Sequence, residues 1–292
     1  MCDEDTIQEN YEYLVRTGQL TRREFGKLSA VAGLAIVLPK TANAADVTGT
    51  DINVTTPDGT ADCYFVHPVS GKHPGVLMWP DIFGLRPAFK AMAKRLAESG
   101  YSVLVVNPYY RSGKAPVVPV GASFEDEATR NKLFSLMRSL TPEIQTKDAL
   151  AFVGFLDQQA AVDNNRKVGT LGYCMGGPFT MRTAAALPDR VGAGASFHGA
   201  GVATDAPDSP HLLVPKMKAQ FLFAIAENDD QRDPKAKDLL REAFDKAGLP
   251  AEIEVYQGTM HGWCPPDSRV YNEAQAEHAW SRMLALFKKA LV

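Results

Sequence analysis

The sequence is short of three things, and each shortage excludes a class of protein. Cysteine is scarce: Cys2, Cys63, Cys174 and Cys264 are the four in 292 residues. That is far too few for a disulfide scaffold, so each thiol is open to an individual role. Positive charge is not in excess, with 31 Lys and Arg against 34 Asp and Glu. The electrostatic footprint of a nucleic-acid binder is therefore missing, and no nucleic-acid partner is expected. The apolar run at residues 28–38 falls well below the ~20 residues that span ~30 Å of hydrocarbon. No internal repeat or low-complexity segment stands out. What is present is an ordinary hydrophobic content of 45%, enough for a chain of this length to bury a conventional core.

The first 44 residues read as an address rather than as part of that core. Adjacent arginines, Arg22 and Arg23, precede the apolar run, and Ala42-Asn43-Ala44 follows it with the small-x-small form of a peptidase site. A charged n-region, a short apolar h-region and such a site together make a cleaved signal. The paired arginines, with Lys40 before the cleavage site, resemble the twin-arginine type. The expected division is a signal at residues 1–44 and one domain at residues 45–292. The mature protein is expected in the periplasm, without a stable membrane span.

From residue 50 onward strand and helix patterns alternate. Pro57-Asp58-Gly59 separates strand-forming runs at residues 52–55 and 61–67, a hairpin signal. Short apolar runs at residues 75–79, 101–106, 167–172, 191–197, 219–226 and 252–256 suit buried parallel strands. Helical spacing marks residues 87–99, 124–140, 142–158, 176–186, 234–247 and 271–291. The fold class predicted is α/β, a mostly parallel central sheet with helices on both faces.

One tight turn carries the chemistry. Gly172-Tyr173-Cys174-Met175-Gly176-Gly177 lies between a predicted strand and a predicted helix, the G-x-nucleophile-x-G form of a nucleophile elbow. Its glycines allow a turn too sharp for flanking side chains. Its tip stands at a helix N-terminus, where free N–H groups and the helix dipole favour an anion. A nucleophilic thiol needs a base and the base an orienting acid, in the chain order nucleophile, acid, histidine. Asp229, with Asp230 as second choice, follows the run at 219–226, and His261 sits in the Gly-flanked loop after the run at 252–256. His198 follows a strand but precedes the acid. The oxyanion donors expected are the main-chain N–H groups of Met175 and Ile82.

From about residue 50 to 292 the chain resembles the dienelactone hydrolase family (carboxymethylenebutenolidases) of the α/β-hydrolase fold. The residues that carry the resemblance are Pro80-Asp81-Ile82-Phe83-Gly84, Gly172-Tyr173-Cys174-Met175-Gly176-Gly177, Asn228-Asp229 and His261-Gly262. The resemblance implies a Cys-His-Asp triad, no metal and no organic cofactor. It implies attack on a small-molecule ester or enol lactone through a thioester. Two departures stand out. The family commonly has Glu, interacting with the resting thiol, where this chain has Asp81; the shorter side chain either modulates the thiol or holds the loop through backbone N–H groups. The family's arginine after the catalytic histidine is replaced here by Cys264-Pro265-Pro266. Its other arginine corresponds to Arg130, either a substrate-carboxylate ligand or a solvated helix residue. Tyr173 and Trp263 are further candidates for substrate contact. The expected function is an exported carboxylic ester or lactone hydrolase; a thioesterase on the same triad and a non-catalytic binding protein are the alternatives.

Overall fold

Strand β3 (Gly75–Trp79) has every residue buried, because it is covered from both sides. Its odd and even residues show how. Val76 and Met78 pack with Phe89, Met92 and Leu96 of α1 (Pro87–Glu98) and with Met283 and Phe287 of α7 (Glu273–Ala290). Leu77 and Trp79 pack on the other face with Phe152 and Leu156 of α3 (Pro142–Asp157) and Phe179 of α4 (Gly176–Ala186). Successive side chains of a strand point to opposite faces, so a run apolar at every position must lie between two helical layers.

The computed structural model describes residues 9–10, 12–14, 16–17, 38–39 and 44–292. The Arg22-Arg23 pair, residues 28–37 of the apolar run and Ala42-Asn43 lie outside the described residues. The remaining strands and α-helices are β1 (Val47–Thr56), β2 (Gly59–Pro68), β4 (Ser102–Val106), α2 (Glu127–Arg138), β5 (Val168–Tyr173), β6 (Val191–Phe197), β7 (Gln220–Ala226), α5 (Glu227–Arg232), α6 (Ala236–Ala247) and β8 (Ala251–Tyr256). They form an eight-stranded sheet ordered β1-β2-β4-β3-β5-β6-β7-β8. The β1–β2 hairpin is antiparallel and β2 pairs antiparallel with β4; every later pairing is parallel. The predicted architecture is therefore observed. Among the described residues no helix is long and apolar enough to cross a membrane.

Local chemistry sets the ends of elements where the periodicity misplaced them. The helix predicted at residues 124–140 begins only at Glu127, because the Asp126 carboxylate accepts the Thr129 N–H and caps it there. The predicted stop at Gly248 is a left-handed C-cap with φ +67°. Asp229, expected just after the strand run at 219–226, lies in the six-residue α5.

Candidate active site

The parallel strands β3, β5, β6, β7 and β8 end at one edge of the sheet, and the turns that leave them bring distant residues together. After β5 the chain reverses directly into α4. A β-carbon at Gly172 would collide with the Gly176 carbonyl, one at Gly176 would lie 2.6 Å from the Trp79 carbonyl oxygen, and one at Gly177 2.5 Å from Ser196 Oγ. Cys174, at the tip, has φ +52°, a left-handed conformation that costs a non-glycine residue energy. The turn closes with Gly177 N–H donating to the Cys174 carbonyl at 3.0 Å.

His261 and Asp229 arrive from the ends of β8 and β7. His261 Nδ1 donates to Asp229 Oδ2 at 2.7 Å, and Cys174 reaches the imidazole through a side-chain hydrogen bond. Burial alone would depress the His261 pKa; the Asp229 carboxylate and then Cys174 overcome that and lift it to about 10. The second-choice acid is spoken for elsewhere, since both Asp230 oxygens accept from Lys237 Nζ at 2.7 Å. Helix α5 and the histidine loop are laced to each other. His261 N–H donates to Asn228 Oδ1 at 2.8 Å, and Gly258 N–H to Glu227 Oε2 at 2.7 Å. An N-terminal stretch rests on the same helix and loop: Glu9 accepts from Asn228 and Arg232, and Asn10 Nδ2 donates to the His261 carbonyl.

The other two described thiols are chemically quiet. Burial pushes Cys63 up to about 12 and holds Cys264 well above the usual thiol range, which keeps both protonated.

The two turns expected to supply oxyanion donors lie on either side of one tyrosine, a residue the sequence did not single out. The Tyr109 hydroxyl donates to the Ile82 carbonyl at 2.8 Å and lies 3.2 Å from the Met175 sulfur. The bond closing the β3 turn runs from Gly84 N–H to the Asp81 carbonyl, so Ile82 N–H takes no part in it, as Met175 N–H takes none in the elbow's closing bond.

Asp81 is hydrogen-bonded within its own loop and to a neighbouring arginine. Oδ1 accepts Phe83 N–H at 2.9 Å and Arg86 Nη1 at 2.6 Å, and Oδ2 accepts Arg86 Nη2 at 2.9 Å. Arg86 also binds Asp267, in the loop after His261, at 2.7 and 3.0 Å. This ion triad ties the β3 turn to the histidine loop. Burial raises the Asp81 pKa against the opposing pull of Arg86, and its charge is also coupled to Cys174. No motif marked Arg86 in advance.

Three expected substrate contacts are placed otherwise. Tyr173 is stacked on Phe197 and Trp263 on Tyr256, both side chains sealed within the core beneath the site. Tyr173 ends β5 on the same face as Leu171, two residues back, and so points into the core. Arg130, on α2, donates to the Phe124 carbonyl at 3.1 Å and braces the loop before its helix. Among the described residues no group of three or more His, Cys, Asp or Glu is arranged to hold a metal.

Comparison with known proteins gives the family. Residues 61–291 match the model of the dienelactone hydrolase family. The chain belongs to the dienelactone hydrolase family. A carboxymethylenebutenolidase from Rhodococcus opacus is 26% identical over 238 residues, covering 80% of this chain and 88% of that one. Two solved structures share the fold across 84% of this chain and 99% of theirs. One is a dienelactone hydrolase-like promiscuous phosphotriesterase from metagenomic libraries, with a TM-score of 0.68 at 20% identity. The other is a dienelactone hydrolase from Anabaena variabilis, with a TM-score of 0.60 at 16% identity. The chain is thus a hydrolase of this family, with the α/β-hydrolase sheet.

Proposed function

We propose that this dienelactone hydrolase-family enzyme cleaves carboxylic esters or enol lactones through a thioester on Cys174. The observation that carries the reading is the strained Cys174 at the elbow tip, with His261 hydrogen-bonded to it and to Asp229. The Cys174 thiolate attacks the substrate carbonyl carbon, and the carbonyl oxygen takes the negative charge. The Ile82 and Met175 N–H groups stabilise that oxyanion, the interaction that grows as charge develops. The carbon–oxygen bond then breaks. The leaving alkoxide or enolate takes the proton from His261, and a thioester remains on sulfur. In the second half His261, now neutral, takes a proton from water as the oxygen attacks the thioester. Collapse expels the thiolate and releases the carboxylic acid, leaving the proton taken from water on His261 beside the thiolate. Acylation removes the negative charge from sulfur, which is one of the supports of the His261 proton. The same residue is thereby converted from acid to base between the two halves.

The Rhodococcus relative's name, carboxymethylenebutenolidase, supports an enol lactone as the substrate class. The loss of the arginine after His261 and the loop-bracing position of Arg130 point away from strict selection for a carboxylated lactone. The Arg22-Arg23 pair, apolar run and Ala42-Asn43-Ala44 support export through the twin-arginine route and cleavage after Ala44. The experiment is a panel of chromogenic esters, thioesters and enol lactones offered to the purified enzyme. Oxygen esters or lactones should be turned over best, in wild type and not in Cys174→Ala. A preference for thioesters by tenfold or more in kcat/KM would replace this reading by a thioesterase.

A further inference from the structure

His198 stands one residue past β6, and the proposed mechanism does not use it. It is fully buried, its backbone is left-handed at φ +39°, and neither ring nitrogen has a hydrogen-bond partner among the described residues. Its ring lies 5.2 Å from that of His261, edge-to-face at 76°, with Tyr173 at 6.0 Å and Trp263 at 6.3 Å completing the enclosure. Two unpartnered polar atoms in such a place are costly, and a phenyl ring would fill the same space without them. A reason for the nitrogens is therefore needed.

A neutral imidazole has one N–H and one lone pair, and thus a strong dipole. Where a hydrogen bond fixes one nitrogen, it also fixes the tautomer. His198 has no such bond, so its proton can sit on whichever nitrogen turns the lone pair toward a neighbouring positive charge. That charge arises on His261. We propose, resting on the catalytic reading above, that His198 is a positioning residue whose uncharged, dipolar ring steadies His261 in its protonated form. Preorganised dipoles aimed at a developing charge act strongly in a site closed to water. The other titratable groups around the pair are consistent with this role. Asp229 and Cys174 approach His261 from the ends of β7 and β5, Asp81 is coupled to Cys174 from the β3 turn, and Tyr173 beside His198 is held un-ionised by burial. Burial, followed by the nearness of His261, keeps His198 itself neutral.

The test is histidine-selective NMR on the full chain from pH 6 to 11, together with kinetics of two variants. In wild type the His198 ring nitrogens should change shift at the His261 midpoint without His198 itself becoming protonated. In His198→Phe the His261 midpoint should fall by at least about half a pH unit, a threefold or larger weakening. Its kcat should drop about fivefold or more while KM stays within about twofold, as for an interaction lost in the transition state. His198→Asn keeps a dipole and suits the left-handed backbone, and it should restore most of the midpoint and of kcat. The proposal is overturned if His198 titrates on its own near 6.5, or if its nitrogens do not respond to His261. It is equally overturned if Phe leaves midpoint and kcat unchanged, or if Asn is no better than Phe. The wild-type NMR result decides the matter even if a variant does not fold. Retained hydrolysis in Cys174→Ala would sink the triad reading alone, since the His198–His261 coupling is measured independently of it.

Discussion

A carboxylate is the triad acid only if its removal weakens the histidine, and at this scale two neighbours are distinguished. Asp229 touches His261 Nδ1, whereas Asp230 is paired with Lys237. Asp229→Ala should therefore lower kcat/KM by orders of magnitude, as loss of a triad acid does. Asp230→Ala should cost less than about tenfold, since an ion pair of this kind contributes mainly to stability. Steady-state kinetics on the two variants decide it, and the reverse order would reassign the acid. The histidine makes a second prediction. Its pKa of about 10 lies above its ordinary value, so its proton stabilises the fold fully below about 6.5. That contribution is lost as pH rises through about 10. In the free enzyme the His261 ring should titrate near 10 by NMR. After alkylation of Cys174 by iodoacetamide, one negative partner is gone and the midpoint should fall. A midpoint that stays put would show that Cys174 does not support the proton.

At the scale of elements, the turns after β3 and β5 work as a pair. Tyr109 links them, bonding to the Ile82 carbonyl and touching the Met175 sulfur. Tyr109→Phe keeps the ring and removes one buried hydrogen bond, a loss of about 1 kcal/mol in stability. Its larger effect should be on kcat, about tenfold, because oxyanion donors a fraction of an ångström out of place lose much of their value. Urea unfolding and kinetics on the same sample separate the two; a kcat that falls no more than stability requires would deny Tyr109 this role. The elements themselves were largely legible in the sequence. Buried parallel strands are short apolar runs, and the elbow glycines mark a turn where a β-carbon has no room. Helix α5 was not legible: six residues, Glu227–Arg232, are too few for a 3.6-residue period to register. Arg86, Tyr109 and His198 went unassigned for another reason. Their roles depend on partners far along the chain, Arg86 on Asp267 181 residues away, and no local spacing encodes such a meeting.

The whole molecule poses the question of what the N-terminal stretch is for. Glu9 bonds to helix α5, which carries Asp229, Asn10 bonds to the loop that carries His261, Tyr13 Oη donates to the Gly258 carbonyl at 3.3 Å, and Leu14 packs with Met260 and Val270. These four residues are spaced as one face of a helix, and through them the N-terminal stretch docks on the folded domain. A route that carries folded proteins is compatible with that docking, and the paired arginines are its expected signal. Changing both Arg22 and Arg23 to Lys should leave the unprocessed chain in the cytoplasm, as cell fractionation and intact mass would show. Efficient processing of that double variant would remove the export proposal and leave the enzyme reading untouched.

The central claim is that the thiol at the elbow becomes acylated, and mass spectrometry of the enzyme quenched during turnover of an activated ester tests it most directly. The account predicts a peptide containing Cys174 heavier by the acyl group, an adduct labile to hydroxylamine, and none in Cys174→Ala. Its slower decay in His261→Ala would identify the base that activates water. An acyl group found on Cys63, Cys264 or no residue at all, with hydrolysis undiminished in Cys174→Ala, would contradict it.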